Sequence, residues 1–467
     1  MKSVRVILLA GSLIAPAFAQ TSPAIEQRLT ELEEKMVLID PAFAKGVPAQ
    51  NLLQRLEALE RRMEDALAAK EKMGDLGSAQ AGAGLVPQLP QPTGVQQPPP
   101  AAGPALVAVS VSGDYGAASD TETRLPVSGY MDFHVNRDPE GSFRPDFHRF
   151  VLLFGHSFSS SVRFWSELEL EHSIVESGTQ MGEVALEQSF LDFLIKPYFN
   201  LRAGMILTPV GIVNERHEPP SFNGVERPFV ETVIIPTTWR ELGFGMTGDL
   251  GRGFRYRAYL TSALDASRFD AESGISEGRS KGFDSSFRNP AKVARLEYGG
   301  VRRLTLGASG YTGHTGFNTP GINPRVTMAE FDGRYNYRRL DFRGLFANTW
   351  ITRAGELNRR VQQQSGVNPN VANQTRGYYF EPAFHVLPQS LRGDVILFAR
   401  YEKFNTQHRM PEGFVPLPQF NRSAWITGVT YKPNADVAVK LDYVFNRNRS
   451  SVVRELDGIN LGVGWWF

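Results

Sequence analysis

From about residue 124 onward the sequence breaks into segments of roughly ten to thirteen residues in which apolar and polar side chains alternate, with turn signals between them. They run from LPVSGYMDFHVNR (125–137) to ELDGINLGVGWWF (455–467), about sixteen in all. The gaps also alternate. SSS, KPY, GR, YRR, PQS and PNA are tight turns, and between them fall longer connections, notably 208–240, 265–289, 352–375 and 405–422. A soluble β-sandwich would show six to nine strands without that rhythm. Short turns at one end and long loops at the other predict an all-β transmembrane barrel of about 16 antiparallel strands over residues 124–467.

The last segment fits this reading. Ile459, Leu461, Val463, Trp465 and Phe467 share one face, while Asn460, Gly462, Gly464 and Trp466 share the other. The first face suits lipid and an interfacial aromatic girdle. The strand ending in Phe467 resembles the C-terminal signature by which the barrel assembly machinery recognises its clients. Lipid and lipopolysaccharide are the expected surroundings.

Upstream lie three other zones. Residues 1–19 read as a signal peptide: Lys2 and Arg5 precede a short apolar run, and Ala17 and Ala19 place cleavage after Ala19. Residues 20–76 carry two runs of four–three–four spacing, Ile25–Leu29–Leu32–Met36 and Leu52–Leu56–Leu59–Met63, amid dense charge. They predict a periplasmic coiled coil, with a lone amphipathic helix as the alternative. Residues 77–123 are a linker, rich in Pro, Gln, Gly and Ala in its first part, with a Pro-rich ligand segment as the alternative. Cysteine is absent, so no disulfide framework is expected. Loss of Lys2 and Arg5 with the signal takes the formal net charge from +1 to −1, and nothing points to nucleic acid. A mean hydropathy of −0.26 is compatible with a barrel, since only alternate residues meet lipid.

Parity assigns the lumen. A charge on the lipid face costs roughly 2–4 kcal/mol near the midplane. Arg163, Arg202, Arg255, Arg257, Arg303, Arg334, Arg343, Arg400 and Lys440 therefore turn inward as pore-lining candidates. So do Glu167, Glu169, Asp332, Asp341, Glu402 and Asp442. Either these acids and arginines pair across neighbouring strands, or the arginines form a ladder favouring anions. A lumen so charged is expected to hold water rather than a dry core.

The stretch PVGIVNERHEPPSFNGVERPFVETVIIPTTWRELGFG (209–245) is stiffened by four prolines between Pro219 and Pro236. Its charged residues, Glu215, His217, Glu218, Arg227, Glu231, Arg240 and Glu241, are candidates for a pore constriction. The alternatives are a metal site of Glu215, His217 and Glu218, or a surface loop or trimer latch.

The RAGMILTPVG strand end, the NERHEPPSFNGVERP loop and the IIPTTWRELGFG return resemble the phosphate-selective porin O/P family. That resemblance covers residues 127–467 and implies a trimeric sixteen-stranded porin, its third external loop folded inward and its lumen favouring anions. Here inward acids interrupt the family's arginine and lysine ladder. The N-terminal stretch is similar to the stalk of trimeric dicarboxylate porins. The expected function is passive diffusion of small hydrophilic solutes across the outer membrane of a Gram-negative bacterium, with no cofactor, no catalytic residues and no enzymatic activity. No Ser, His and acid form a recognisable nucleophile motif, and residues 20–123 could not build a receptor plug. A structural protein tethering the membrane through its coiled coil is the rival reading.

Overall fold

The computed structural model describes residues 127–137, 141–172, 182–283, 286–319, 321–388 and 392–467. The signal, coiled-coil and linker expectations on residues 1–123 lie outside these.

Sixteen strands follow one another in sequence: β1 (Val127–Arg137), β2 (Phe143–Ser157), β3 (Val162–Glu171), β4 (Val184–Lys196), β5 (Phe199–Leu207), β6 (Arg240–Gly251), β7 (Phe254–Thr261) and β8 (Ala291–Tyr298). The second half comprises β9 (Leu304–His314), β10 (Arg325–Tyr337), β11 (Leu340–Ile351), β12 (Gln374–His385), β13 (Asp394–Arg409), β14 (Asn421–Lys432), β15 (Val437–Asn448) and β16 (Gly458–Trp466). Each pairs antiparallel with its neighbours, and β1 pairs with β16, so the sheet is a closed barrel. Phe467 seals the seam, exchanging backbone hydrogen bonds of 2.9 and 3.0 Å with Gly129. Closure leaves no unpaired edge, which hydrocarbon would not tolerate. No helix among the described residues is long and apolar enough to cross a membrane.

The alternation reads through to the walls. In β8, Ala291, Val293, Arg295 and Glu297 are buried while Lys292, Ala294 and Leu296 are exposed. Phe331, Phe380 and Trp425 stand out from the exterior, whereas Glu330, Glu381 and Glu402 are buried inside. The strand boundaries fall within about three residues of the sequence reading except that β2 starts at Phe143 rather than at residue 147, and β13 runs on to Arg409 rather than to residue 404. One helix was not foreseen: α1 (Ala354–Ser365) occupies the start of the 352–373 connection.

The interior is not uniformly wet, contrary to expectation. An apolar core forms inside the barrel where three connections fold against the wall. Val230, Ile234, Ile235 and Trp239 of the 208–239 loop, Phe269 and Ile275 of the 262–290 loop, and Leu357 of α1 cluster with wall residues Tyr311, Met328, Leu345 and Tyr379. The charge-rich lumen thus acquires a dry region because the loops bring apolar side chains against an apolar patch of the wall.

Because the exterior face must match lipid, Phe331→Arg in the middle of β10 should cost roughly 2–4 kcal/mol. Denaturant unfolding of the barrel in lipid vesicles measures it.

Candidate functional site: a loop stretched across the lumen

The 208–239 loop leaves from β5 and returns to β6, then reaches the opposite wall. At its near end the Glu215 carboxylate meets Arg257 of β7 at 3.3 Å. His217 turns back onto the β3–β4 wall, its Nε2 2.8 Å from Glu187 and 3.5 Å from Glu167. Its tip lies against strands about half the barrel away. Asn223 donates to Glu381 at 2.9 Å, the Val225 amide to Asp442 at 2.6 Å and the Val230 amide to Glu402 at 2.9 Å. In return Arg343, Lys432 and Lys440 donate to the loop carbonyls of Ser221, Pro220 and Gly224 at 3.0, 2.7 and 2.7 Å. The expected inward folding is therefore present, and the loop bridges two walls.

Two glycines of β16 make its seat. A Cβ on Gly464 would stand 2.3 Å from Pro219, and one on Gly462 would stand 2.9 Å from Val225. The absence of side chains at these two positions of the last strand lets the Pro219 ring and the Val225 side chain of the loop come close.

Most inward arginines are neutralised by neighbours. Arg202 pairs with Asp192 at 2.7 Å and lies over the Phe190 ring, and Arg255 pairs with Glu297 at 2.7 Å. Arg334 is 3.8 Å from Glu297. Arg400 binds Glu381 at 3.0 Å and Glu402 at 2.8 Å, and also donates to the Asn223 carbonyl. Arg163 shares the inward face of β3 with Glu167 and Glu169, and its buried Nε has no hydrogen-bond partner. Arg303 is a correction: it lies in the β8–β9 turn with a left-handed φ of 69°, outside any strand. There it lines a 430 Å³ pocket at the turn end with Arg338, Arg339, Asp341, His385 and Asp394. Period-two parity fails where the strand has already stopped.

The loop charges separate too. Glu215, His217 and Glu218 do not assemble: the first goes to Arg257, the second to Glu187, and the third is buried before a short 3-10 turn. Arg227 donates to Thr238 at 3.0 Å and faces a 550 Å³ cavity shared with Arg137, Arg422, Arg454, Glu226 and Asp442. Arg240 opens β6 and reaches Glu187 at 3.3 Å. Glu231 accepts from Tyr379 at 2.7 Å, and Glu241 accepts from Ser262 and Ser280.

Burial sets the protonation of these loop groups. It pushes Glu231 from 4.5 up to about 7, although the Val213 amide and the Tyr379 hydroxyl pull the other way. It raises Glu218 to about 7 as well. Burial alone would lower His217, but the carboxylates of Glu187 and Glu167 overcome it and hold the ring up at about 10. Glu226 is driven below the usual carboxylate range, its burial outweighed by the hydrogen bond to His134.

Several interior residues escaped the sequence reading. Arg295, which meets Asp332 at 2.6 Å and Glu330 at 3.3 Å, sits in a strand where both faces mix charge with small apolar groups, so parity is mute. Glu187 is the extra residue of a bulge: opposite Glu167 and Leu168 stand Gln188 and Leu186.

No family model matches the chain. A protein of Aquifex aeolicus (strain VF5), described as uncharacterized, is 32% identical over 359 residues, 73% of this chain and 80% of that one. The chain belongs to that protein's family. Among solved structures it is similar to the anion-selective porin from Comamonas acidovorans, with 14% identity, 73% of this chain and 98% of that one covered, and a TM-score of 0.47. It is also similar to the outer-membrane channel DcaP of Acinetobacter baumannii (12%; 73% and 96% covered; TM-score 0.48) and to Salmonella typhi OmpF in complex with daunomycin (13%; 73% and 97%; 0.49).

Two outcomes follow. Gly464→Val should displace the loop at Pro219, so trypsin should cleave after Arg216 several-fold faster than in the wild type while the barrel stays folded. The raised Glu231 acid keeps its proton in the folded state after the unfolded chain has lost it. Stability on its account is therefore full below about pH 4.5 and falls as pH rises through about 7. Glu231→Gln should gain on the wild type across that window by roughly 3 kcal/mol, read from urea midpoints at pH 4.5 and 8.

Proposed function

We propose that the chain is an outer-membrane porin through which small hydrophilic solutes diffuse passively, with a modest preference for anions such as phosphate or carboxylates. The observation that carries this is the inverted wall: apolar residues outside, ionic residues inside, and a loop held across the lumen by hydrogen bonds rather than by a continuous hydrophobic plug. A closed sixteen-stranded barrel is wide enough for an aqueous path. The anion preference is supported by Arg343, Lys432 and Lys440, which spend hydrogen bonds on loop carbonyls rather than on acids. The 550 Å³ cavity supports it only slightly, since Arg137, Arg227, Arg400, Arg422 and Arg454 face Glu226, Asp442, Glu455 and Asp457 there. The resemblance of residues 127–467 to the phosphate-selective porins agrees with this reading, and a homotrimer with a periplasmic N-terminal segment belongs to it.

One observation favours the rival. The apolar core formed by three loops fills part of the lumen, as a structural tether working through an N-terminal coiled coil would permit.

Single-channel recording in planar bilayers decides between them. A porin gives conductance steps, in groups of three for a trimer, and an anion-selective reversal potential under a KCl gradient. A folded barrel without conductance overturns the channel. Arg400→Met leaves Glu381 and Glu402 buried without their cation, a loss of about 3–5 kcal/mol. It should loosen the loop tip and raise the conductance of the open steps.

A further inference from the structure

The bulge in β4 has a local consequence. Below it the even residues Gln188, Phe190 and Asp192 face the lumen; above it the odd residues Ala185 and Glu187 do. Glu187 and Gln188 are therefore neighbours in sequence that both point inward, which an unbroken strand forbids. Gln188 donates to Glu167 on β3, Glu187 meets His217 of the loop, and His217 reaches Glu167 as well. All four are buried, with exposures of 1% for Glu187 and His217, 2% for Glu167 and 6% for Gln188.

The hydrogen bonds around the group have a definite order. His217 Nδ1 lies 3.2 Å from the Asn214 carbonyl, an acceptor only, so Nδ1 keeps a proton and donates there, and Nε2, whose own proton a metal ion can displace, is turned to the two carboxylates. Each carboxylate has one oxygen near Nε2, and at least one oxygen is fixed by an outer donor. Gln188 Nε2 donates to Glu167 Oε2 at 2.6 Å, the Tyr130 hydroxyl donates to Glu167 Oε1 at 3.2 Å, and Arg240 donates to Glu187 Oε1 at 3.3 Å. An imidazole anchored through one nitrogen, with carboxylates oriented by their own donors, is how proteins prepare ligands for a metal ion.

We propose that Glu167, Glu187 and His217 bind one divalent transition-metal ion, zinc being the type best suited to this donor set, and so clip the lumen loop to the β3–β4 wall. The ligand atoms lie within 4.8 Å of one another. His217 Nε2 stands 2.8 and 3.5 Å from the two carboxylate oxygens. Donors about 2.0–2.2 Å from a tetrahedral ion stand about 3.4 Å apart, so small adjustments suffice. The charge is suited as well: the ion takes the place of the His217 Nε2 proton, so the two buried carboxylates keep a cation between them, while Arg240 stays on the far oxygen of Glu187. The site closes only when the loop docks, so the ion enters while the loop is still free and is held once it has settled.

The test is metal content, which does not depend on whether the barrel conducts. The protein is refolded in detergent with Co²⁺ as probe, freed of excess by gel filtration, and analysed for cobalt and for its visible spectrum. One ion retained per chain, with the intense visible bands of a four-coordinate cobalt site, is the expected result; Zn²⁺ should displace it and bleach the bands. His217→Gln should lower retention at least 100-fold, and Gln188→Leu, which touches only the outer donor of Glu167, about tenfold. Glu215→Gln, in the same loop but bonded to Arg257, should retain the wild-type ion. Folding of each variant is checked by its heat-modifiable gel mobility. If His217→Gln does not fold, Glu167→Gln replaces it, with the same loss expected. No retained cobalt in the folded wild type, or equal retention in the His217 or Glu167 variant, overturns the site and leaves an ion-paired cluster.

Discussion

Everything in this molecule depends on the β1–β16 seam. A sheet of sixteen strands facing hydrocarbon has to satisfy every backbone N–H and C=O within itself, and only closure does so. Closure then dictates the rest. The exterior has to be apolar, so side chains that carry charge are confined to the interior, and there they need partners. The barrel supplies them in two ways, from adjacent strands, as with Arg202 and Asp192, and from the loop folded between the walls.

The division of labour between wall and loop explains the mixed interior. Wall acids such as Glu381, Glu402 and Asp442 accept from loop amides, and wall cations donate to loop carbonyls. An irregular loop carries many backbone groups that no ladder satisfies, and a charged lumen is a ready source of partners for them. Where the loop turns aliphatic, at Val230, Ile234 and Ile235, it joins an apolar cluster with wall residues such as Leu345 and Tyr379 instead. The same segment is therefore held by ionic hydrogen bonds at some points and by burial at others, and neither alone accounts for its path.

The fold was legible in the sequence because period-two alternation and the spacing of turns are local signals repeated many times. Each strand is a separate vote, and errors of a few residues at an end leave the topology untouched. The inward folding of the 208–239 loop was legible from its prolines and charges. Its partners were not: Glu215 and His217 are two residues apart yet go to Arg257 and Glu187, because the chain turns between them, the Arg216 amide closing on the Val213 carbonyl. Glu187 was hidden by a one-residue bulge, which no composition signal marks, and Arg303 by the end of a strand. α1 was missed because its sequence, AGELNRRVQQQS, lies in a polar loop where helix propensity competes with no clear apolar stripe. The N-terminal zones rest on sequence pattern alone.

The glycine face of β16 ties the loop to the closure of the barrel. Gly462 and Gly464 form part of the loop's resting place, yet they belong to the last strand in sequence, more than two hundred residues after the loop itself. The loop has its full floor only in a barrel whose sixteenth strand has met the first. Sealing of the outer wall and furnishing of the interior are thus one requirement, and it is written into which face of that strand was left without side chains.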